Sequence, residues 1–328
     1  MAVERSSACG SCPKCGSQDI TFYGSSRGTP EIKCKSCGKR TLTTLIHDEG
    51  ALIDGLVSTK AIGKGKPKRV LIGADTQCGS LVGLTPPRWQ LGEHHDSITK
   101  LDKYARIERE GWDWYTANID VLKPFDLAIF NGDCIDGRGE HSGGTELITT
   151  DRITQCEMAV ECIRRVGAKK VVLTYGTAYH AGMLEDFENI IAKDLGAKIG
   201  SHEWVDVNGL VFDIKHKVGR TSIPHGGATP ALRESLWSIL WAEAEMTPKS
   251  HIVVRSHTHS SVDVKVLGLP RVIVTPSLQG MGTKFGSREC SGLVSFGFVV
   301  FDVYEDGSYV HRFVEAEIKS QKASVIKI

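Results

Sequence analysis

The sequence of 328 residues has no long hydrophobic run and almost no excess of charge of either sign. Because no apolar stretch approaches the roughly 20 residues that cross a bilayer, we expect no membrane-spanning helix. Residues 1–20 lack the apolar core of a signal peptide, so we expect a cytoplasmic protein. The 40 Lys and Arg nearly balance the 39 Asp and Glu, and the net charge of +1 excludes a general attraction to polyanions. Any preference for nucleic acid must therefore come from local patches.

Cysteine is plentiful, with ten residues, but it is unevenly distributed. Four cysteines form two C-x-x-C pairs, Cys12/Cys15 and Cys34/Cys37, and each pair is followed by glycine. Two thiolate pairs on tight turns can close a tetrahedral zinc site, and over residues 9–41 the segment resembles a zinc ribbon. A Cys9/Cys12 pair remains an alternative, although the proline and glycine favour Cys12/Cys15. The remaining cysteines are scattered, which indicates a reducing compartment.

The ribbon segment carries more basic than acidic side chains, which suits contacts with phosphate groups. We therefore expect DNA as the partner of the ribbon, and a purely structural zinc module is the alternative. Asp19 and Glu31 are the acids of this stretch, and its basic residues are Lys14, Arg27, Lys33, Lys35, Lys39 and Arg40.

A change in composition separates the ribbon from the rest of the chain. Residues 42–60 mix apolar and polar side chains and are compatible with a short helix, whereas 62–68 are rich in Gly, Lys and Pro. The sequence therefore predicts a ribbon over residues 1–41, a linker over 42–68 and a larger domain over 69–328.

Acidic side chains follow two apolar strand candidates of the larger domain. Residues 69–74 are followed by Asp75 and Gln77, and residues 127–130 are followed by Asp133. In parallel α/β sheets the ligand crevice lies at the carboxyl ends of the strands. These acids are therefore candidates for a functional site.

Imidazoles follow three further apolar runs. One run ends before His180, a second before His216, and a third before the pair His257 and His259. In extended backbone, residues i and i+2 project to the same side, so this pair can face one pocket and hold a metal ion.

Taken in order, these elements resemble the calcineurin-like metallophosphoesterases over residues 69–305. The family pattern is Asp-x-His, Gly-Asp-x-x-Asp, Gly-Asn-His, His and Gly-His-x-His. The segment 79–87 is similar to that of phage-borne members of the family. If the chain is encoded by a phage, we expect it in the host cytoplasm. Strand and helix periodicity alone predicts mixed α/β structure, with helices over 99–123, 151–166, 184–195 and 229–246. The resemblance implies a two-sheet αββα sandwich preceded by the small zinc ribbon.

The resemblance also implies two divalent ions, Mn, Fe or Zn, bridged by Asp133. Asp75 and His259 would bind the first ion, with Gln77 as a neutral ligand where the family has histidine. An amide oxygen is a weaker ligand than imidazole. We therefore expect one tight and one weak ion.

For the second ion, the resemblance implies His216 and His257 as ligands. Thr177 or an ordered water would stand where the family has asparagine, and a hydroxyl is a poor substitute for an amide oxygen. His225, in a Pro/Gly loop, competes with His216 for this position, but His216 is preferred because it ends a strand candidate.

The chemistry implied by the resemblance is hydrolysis of phosphodiester bonds, with Asp133 and His180 as catalytic residues. His180 would protonate the leaving oxygen, since imidazole titrates near neutral pH. The loops 77–98 and 137–146 are expected to form the substrate walls. Three functions compete: a DNA nuclease targeted by its ribbon, a phosphatase or phosphodiesterase for a small molecule or phosphoprotein, and a binding protein whose metal site has decayed.

Overall fold

The computed structural model describes residues 20–26, 29–37, 40–42, 63, 65–92, 101–182, 186–221, 223, 226–283, 293–321 and 325. The chain divides into two compact units, Met1–Ala61 and Ile62–Ile328. Cys12, Cys15, His225 and nearly all of the expected helix in 42–60 lie outside the described residues.

The first unit contains a three-stranded antiparallel sheet in the order β1-β2-β3, formed by Ile20–Ser26, Thr29–Cys34 and Arg40–Leu42. Cys34 ends β2 and is buried, and Cys37 lies in the turn that follows. The second cysteine pair is therefore set on a turn, and the zinc ribbon as a whole stays a prediction.

The second unit is built on two sheets. Its strands are β4 Lys68–Gly73, β5 Leu127–Asn131, β6 Lys170–Thr174, β7 Lys198–Gly200, β8 Glu203–Val207, β9 Leu210–Lys217, β10 Ile252–Ser256, β11 Val262–Val264, β12 Arg271–Val274, β13 Phe296–Val303 and β14 Tyr309–Ala316. The six-stranded sheet has the order β14-β13-β4-β5-β6-β7, and the five-stranded sheet has the order β11-β12-β10-β9-β8. Strands β4 to β7 are parallel in the first sheet, and β9, β10 and β12 are parallel in the second.

Helices cover the outer faces of both sheets. They are α1 Leu101–Leu122, α2 Arg152–Val166, α4 Glu188–Leu195 and α5 Ala228–Glu243, whereas the four-residue α3 Ala178–Ala181 follows β6 and carries His180. The Asp151 carboxylate caps α2 by accepting hydrogen bonds from the Ile153 and Thr154 backbone N–H groups, and Gly167 ends the helix in the left-handed conformation.

Alternate side chains of each central strand enter different cores. On β4, Leu71 packs on the helix side, whereas Val70 and Ile72 face the second sheet and share a core with Phe212 and Val254. A third core lies between the five-stranded sheet and α5. The layers are therefore helix, sheet, sheet and helix, which confirms the predicted αββα sandwich.

Local signals predicted some elements and missed others. Helix α1 matches the helix predicted over 99–123, and at Gly111 a Cβ would lie only 3.3 Å from Cζ of Phe296, so the small residue allows close packing there. Strands β7, β8 and β14 lie at sheet edges and carry mixed polar and apolar residues, which gave no strand signal. Among the described helices, none is long and apolar enough to span a bilayer.

Candidate metal centre

The sheet topology brings the ends of five strands together at one edge of the sandwich. Asp75, Asp133 and Thr177 follow β4, β5 and β6, which are neighbours in one sheet. His216 lies near the end of β9, and His257 follows β10, the adjacent strand of the facing sheet. Residues that are up to 182 positions apart in the chain therefore meet across the gap between the two sheets.

The backbone leaves ordinary extended geometry where these side chains emerge. Asp75, Gln77, Asp133, His257 and His259 all have positive φ angles, between 38° and 74°. For residues with a Cβ this conformation is strained, and such strain is kept where the surrounding structure holds it. Here the Asp75 and Gln77 backbone N–H groups donate to the carbonyl oxygens of Gly132 and Asp133, each at 3.0 Å.

Three donors converge at the centre of the site. The Nε2 atom of His216 lies 2.9 Å from Oδ2 of Asp133, and Nδ1 of His257 lies 3.8 Å from the same oxygen. One ligand atom from each of these residues lies within 4.8 Å of the others. The Nδ1 atom of His216 lies 2.6 Å from the carbonyl oxygen of Asn131, so Nδ1 donates to that oxygen and Nε2 faces the site.

Two buried atoms at this centre lack a hydrogen-bond partner of ordinary geometry, Nε2 of His216 and Oδ1 of Asp75. Buried polar atoms are nearly always satisfied, so an imidazole nitrogen and a carboxylate oxygen that lie side by side without such a partner are suited to share a cation, either a proton or a metal ion. Carboxylate and imidazole together suit Mn, Fe or Zn. The residues therefore fit a divalent ion.

The pKa shifts of the residues at the centre also favour a bound cation. Burial acts to raise the pKa of Asp133, but the imidazoles of His216 and His257 outweigh it and hold that pKa well below its usual range. Burial acts to lower the pKa of His216, but the carboxylates of Asp133 and Asp75 raise it to about 10. The two carboxylates thus create a field that attracts positive charge, whether proton or metal.

The side of the site that the resemblance assigns to the first ion offers fewer strong metal ligands. The Nε2 atom of His259 lies 3.2 Å from Oδ1 of Asp75. The side-chain amide nitrogen of Gln77 lies 3.3 Å from Nε2 of His180 and 3.4 Å from Nε2 of His259. The amide of Gln77 therefore lies between two imidazoles, where its orientation depends on their protonation.

Thr177, which the family resemblance makes a metal ligand, forms hydrogen bonds with the carboxylate of Asp133. Its backbone N–H donates to Oδ1 of Asp133 at 2.6 Å, and its hydroxyl donates to the same oxygen at 3.1 Å. The hydroxyl is thus used to orient the carboxylate, and its role as a metal ligand stays a prediction.

His180 is held by Asp136, which lies in the loop after β5. Its Nδ1 lies 2.9 Å from the carbonyl oxygen of Asp136 and 3.3 Å from Oδ1 of the same residue. Burial acts to lower the pKa of His180, but Asp136 and Asp133 raise it to about 9. Asp136 therefore directs Nδ1, and Nε2 is left to face the site.

The centre opens into a cleft of about 360 Å³. Both predicted wall segments contribute to it, through Ser80 and Val82 on one side and Glu146 on the other. Arg88 and Trp89 do not line it; Arg88 stacks on Trp89 and pairs with Glu157. The chemically active residues at the cleft are Gln77, Asp136, His180, Arg220, His257 and His259.

Sequence reasoning missed two polar residues behind the site. Asn131, the last residue of β5, donates to Ser256 and accepts from Thr174, and its carbonyl oxygen orients His216. A polar residue at the end of an apolar strand was the available signal for it. Glu188 accepts backbone hydrogen bonds from two strand-end loops, and nothing in its sequence setting indicated this.

A search among solved structures finds several chains that match this chain at low similarity. Vps29 from Entamoeba histolytica is 12% identical with a TM-score of 0.36, over 76% of this chain and 99% of its own. An archaeal phosphodiesterase is 14% identical with a TM-score of 0.38, over 75% and 99%. A conserved uncharacterised protein of Streptococcus pneumoniae, described as a predicted phosphoesterase, is 9% identical with a TM-score of 0.32, over 77% and 100%. At these values the likeness assigns neither a family nor an activity.

A scan against protein-family models gives no match, and neither does a search among curated proteins.

Proposed function

We propose that the chain hydrolyses phosphodiester bonds with divalent metal ions bound at this edge of the sandwich. The observation that carries the proposal is the convergence of Asp133, His216 and His257, beside the buried Oδ1 of Asp75, next to a cleft that His257 lines. Asp133, His216 and His257 would hold the tighter ion. Asp75, His259 and Gln77 would hold the weaker one.

Bound divalent ions supply positive charge to a phosphoryl group and lower the pKa of water. The chain's own residues supply the rest. His180, held through Nδ1 by Asp136, presents Nε2 for proton delivery to the leaving oxygen. Arg220, on the cleft wall, is suited to contact non-bridging phosphoryl oxygens.

The first test is the variant Asp133→Asn, which keeps the shape of the side chain and removes its charge. Because the carboxylate is the common partner of both imidazoles, we expect Mn²⁺-stimulated turnover of bis(p-nitrophenyl) phosphate to fall at least about 100-fold. The control is Asp113→Asn, at an exposed position of α1. Undiminished turnover in the Asp133 variant would remove this mechanism.

We further propose DNA as the substrate, brought to the site by the N-terminal segment. The basic side chains of residues 14–40 support this, since they suit phosphate contacts. Turnover of single- and double-stranded DNA with Mn²⁺, compared with cyclic nucleotides and p-nitrophenyl esters, distinguishes a nuclease from an enzyme for small molecules. A panel in which only small esters react would reject the nuclease and keep the hydrolase.

A binding protein with a decayed metal site is the second candidate, and the position of Gln77 favours it because an amide replaces a stronger ligand there. Metal content decides between the two. If His257→Ala and His259→Ala bind as much Mn²⁺ as the wild-type chain, the site is not a metal site and the hydrolase is rejected.

A further inference from the structure

Glu188, the first residue of α4, is a carboxylate buried directly behind the metal centre, and its side chain is 0% exposed. Both of its oxygens are used. Oε1 accepts the backbone N–H of Cys134 at 2.9 Å, and Oε2 accepts the backbone N–H of Gly176 at 2.6 Å. One side chain from a helix thus joins the loop after β5 to the loop after β6.

Cys134 and Gly176, the two residues that Glu188 joins, are each adjacent in the sequence to a site residue. Cys134 follows Asp133, whose φ of 52° is strained, and Gly176 precedes Thr177, whose N–H donates to the Asp133 carboxylate. Gly176 passes so close to Asp133 that a Cβ on it would lie 2.1 Å from Oδ1. The carboxylate of Asp133 is therefore oriented by a loop whose distance from β5 is set by the two hydrogen bonds to Glu188.

Burying this carboxylate is unfavourable for the protein without a ligand. Burial, together with the charge of Asp133, raises the pKa of Glu188 to about 7, against the effect of its two backbone donors. A neutral side chain could join two loops without placing a second negative group behind Asp133. A bound cation offsets this repulsion, so the arrangement suits a protein that works with metal bound.

We propose that Glu188 is a positioning residue of the metal centre, which holds the Asp133 and Thr177 loops at the separation that the Asp133 carboxylate needs to bind metal. The inference rests on the proposed metal site. It assigns to Glu188 no contact with metal or substrate. Its effect passes through the backbone N–H groups of Cys134 and Gly176.

The test is Glu188→Gln in the full chain, which keeps the volume but replaces one acceptor by an NH₂ group that faces a backbone N–H. Because residues that orient metal ligands typically contribute 10- to 100-fold to affinity, we expect the Kd for Mn²⁺ to rise about 10- to 100-fold. Isothermal titration calorimetry on metal-free protein gives this value. The visible spectrum of bound Co²⁺ should change as well, because the ligand geometry changes.

Glu108 offers a matched control. It is also a buried carboxylate, 1% exposed, whose pKa burial raises to about 7 and whose Oε2 accepts a backbone N–H, that of Leu91, at 2.7 Å. It lies on α1, and its partner Leu91, although part of the segment 77–98, does not line the cleft and does not neighbour a candidate metal ligand in the sequence. Glu108→Gln should therefore leave the Mn²⁺ affinity and the Co²⁺ spectrum unchanged, even if both variants unfold at a lower temperature.

Each outcome decides the matter. A folded Glu188→Gln with wild-type Mn²⁺ affinity overturns the proposal, as does an equal loss in Glu108→Gln. If Glu188→Gln does not fold, Glu188→Asp replaces it, because aspartate retains the charge and both acceptors on a shorter side chain. The Kd of Glu188→Asp for Mn²⁺ should rise by less than about 100-fold but by more than the Kd of Glu108→Gln. A wild-type chain that binds Mn²⁺ but hydrolyses no ester overturns the proposed function alone, and one that binds no divalent ion overturns both.

Discussion

At the scale of single residues, the site is marked by its backbone as much as by its side chains. Five candidate site residues have positive φ angles, and three further non-glycine residues of the described chain share this feature. Such conformations cost on the order of 1–3 kcal/mol each, so a cluster of them at one edge of the sandwich indicates a geometry kept for function.

Gln77 is the residue whose replacement tests the expected weakness of the first ion. Its amide lies 3.4 Å from His259, and an imidazole there would add a lone pair beside Asp75 and His259. We expect Gln77→His to raise the Mn²⁺ bound at fixed free metal from about one to about two ions per chain. Metal analysis after equilibrium dialysis measures this.

Gln90→His is the control for that change, because the Gln90 amide donates to the carbonyl oxygen of Thr85 and does not line the cleft. Equal metal content in wild type and Gln77→His would mean that position 77 does not limit binding of the first, weaker ion.

At the scale of elements, the five-stranded sheet is tied to α5 by a buried ionic network. Arg255 on β10 is 0% exposed and donates to Asp213 at 2.8 Å and to Glu234 at 2.9 Å. The Nε2 atom of His202 lies 2.7 Å from Oδ1 of Asp213, the same oxygen that Arg255 contacts, and Lys215 lies 3.0 Å from Glu234. Asp213 and Lys215 belong to β9, the strand that carries His216, so the network stabilises the layer on which half of the site is built.

The charge of Asp213 is held by its partners. Burial acts to raise the pKa of Asp213, but the hydrogen bond from His202 and the charge of Arg255 outweigh it and hold the pKa at about 2. Because this pKa lies below the ordinary value of 3.8, the network contributes fully above about pH 4 and loses this contribution as the pH falls toward 2.

Asp213→Asn should therefore destabilise the protein strongly, because it leaves the buried Arg255 with only part of its compensating charge. We expect the free energy of unfolding at pH 7 to fall by about 3 kcal/mol. Urea denaturation followed by circular dichroism measures the change. Asp120→Asn, which removes a surface ion pair with Arg165, should have a much smaller effect. An equal effect of both variants would contradict a special role for the buried network.

At the scale of the whole molecule, the chain divides into two compact units, and the candidate metal centre lies in the larger one. The unit Ile62–Ile328 contains both sheets and all three cores of the sandwich, and the residues of the metal centre belong to it alone. The described strands of Met1–Ala61 form a sheet of their own.

A chain shortened to residues 62–328 should for this reason retain the Mn²⁺ affinity of the full chain within about twofold, because every donor and its supporting loops remain. It should also carry one zinc ion fewer per chain, as the ribbon interpretation requires. Calorimetry and metal analysis of both proteins provide the two values. Unchanged zinc content would reject the ribbon, and lost Mn²⁺ affinity would show that the first unit supports the centre.

Local patterns were sufficient for much of the architecture. Apolar runs of four to six residues predicted β4, β5, β6 and β10, and the mixed three- and four-residue spacing predicted α1, α2 and α5, because burial imposes a period on the chain. Strands β7, β8 and β14 escaped prediction, since an edge strand is covered on fewer sides and its side chains need not alternate.

The sequence by itself determined which side chains stand at strand ends, because a change from apolar to polar residues is a local property of the chain. Only the tertiary structure decided which of these ends meet, since the order of strands in the sheets, and not the distance along the chain, determines which strand ends lie side by side. It brought Asp75, Asp133, His216, His257 and His259 to one edge, directed the Thr177 hydroxyl to the Asp133 carboxylate, and put Glu188 behind both loops. Contacts of this kind depend on packing between distant segments, and no spacing in the sequence encodes them.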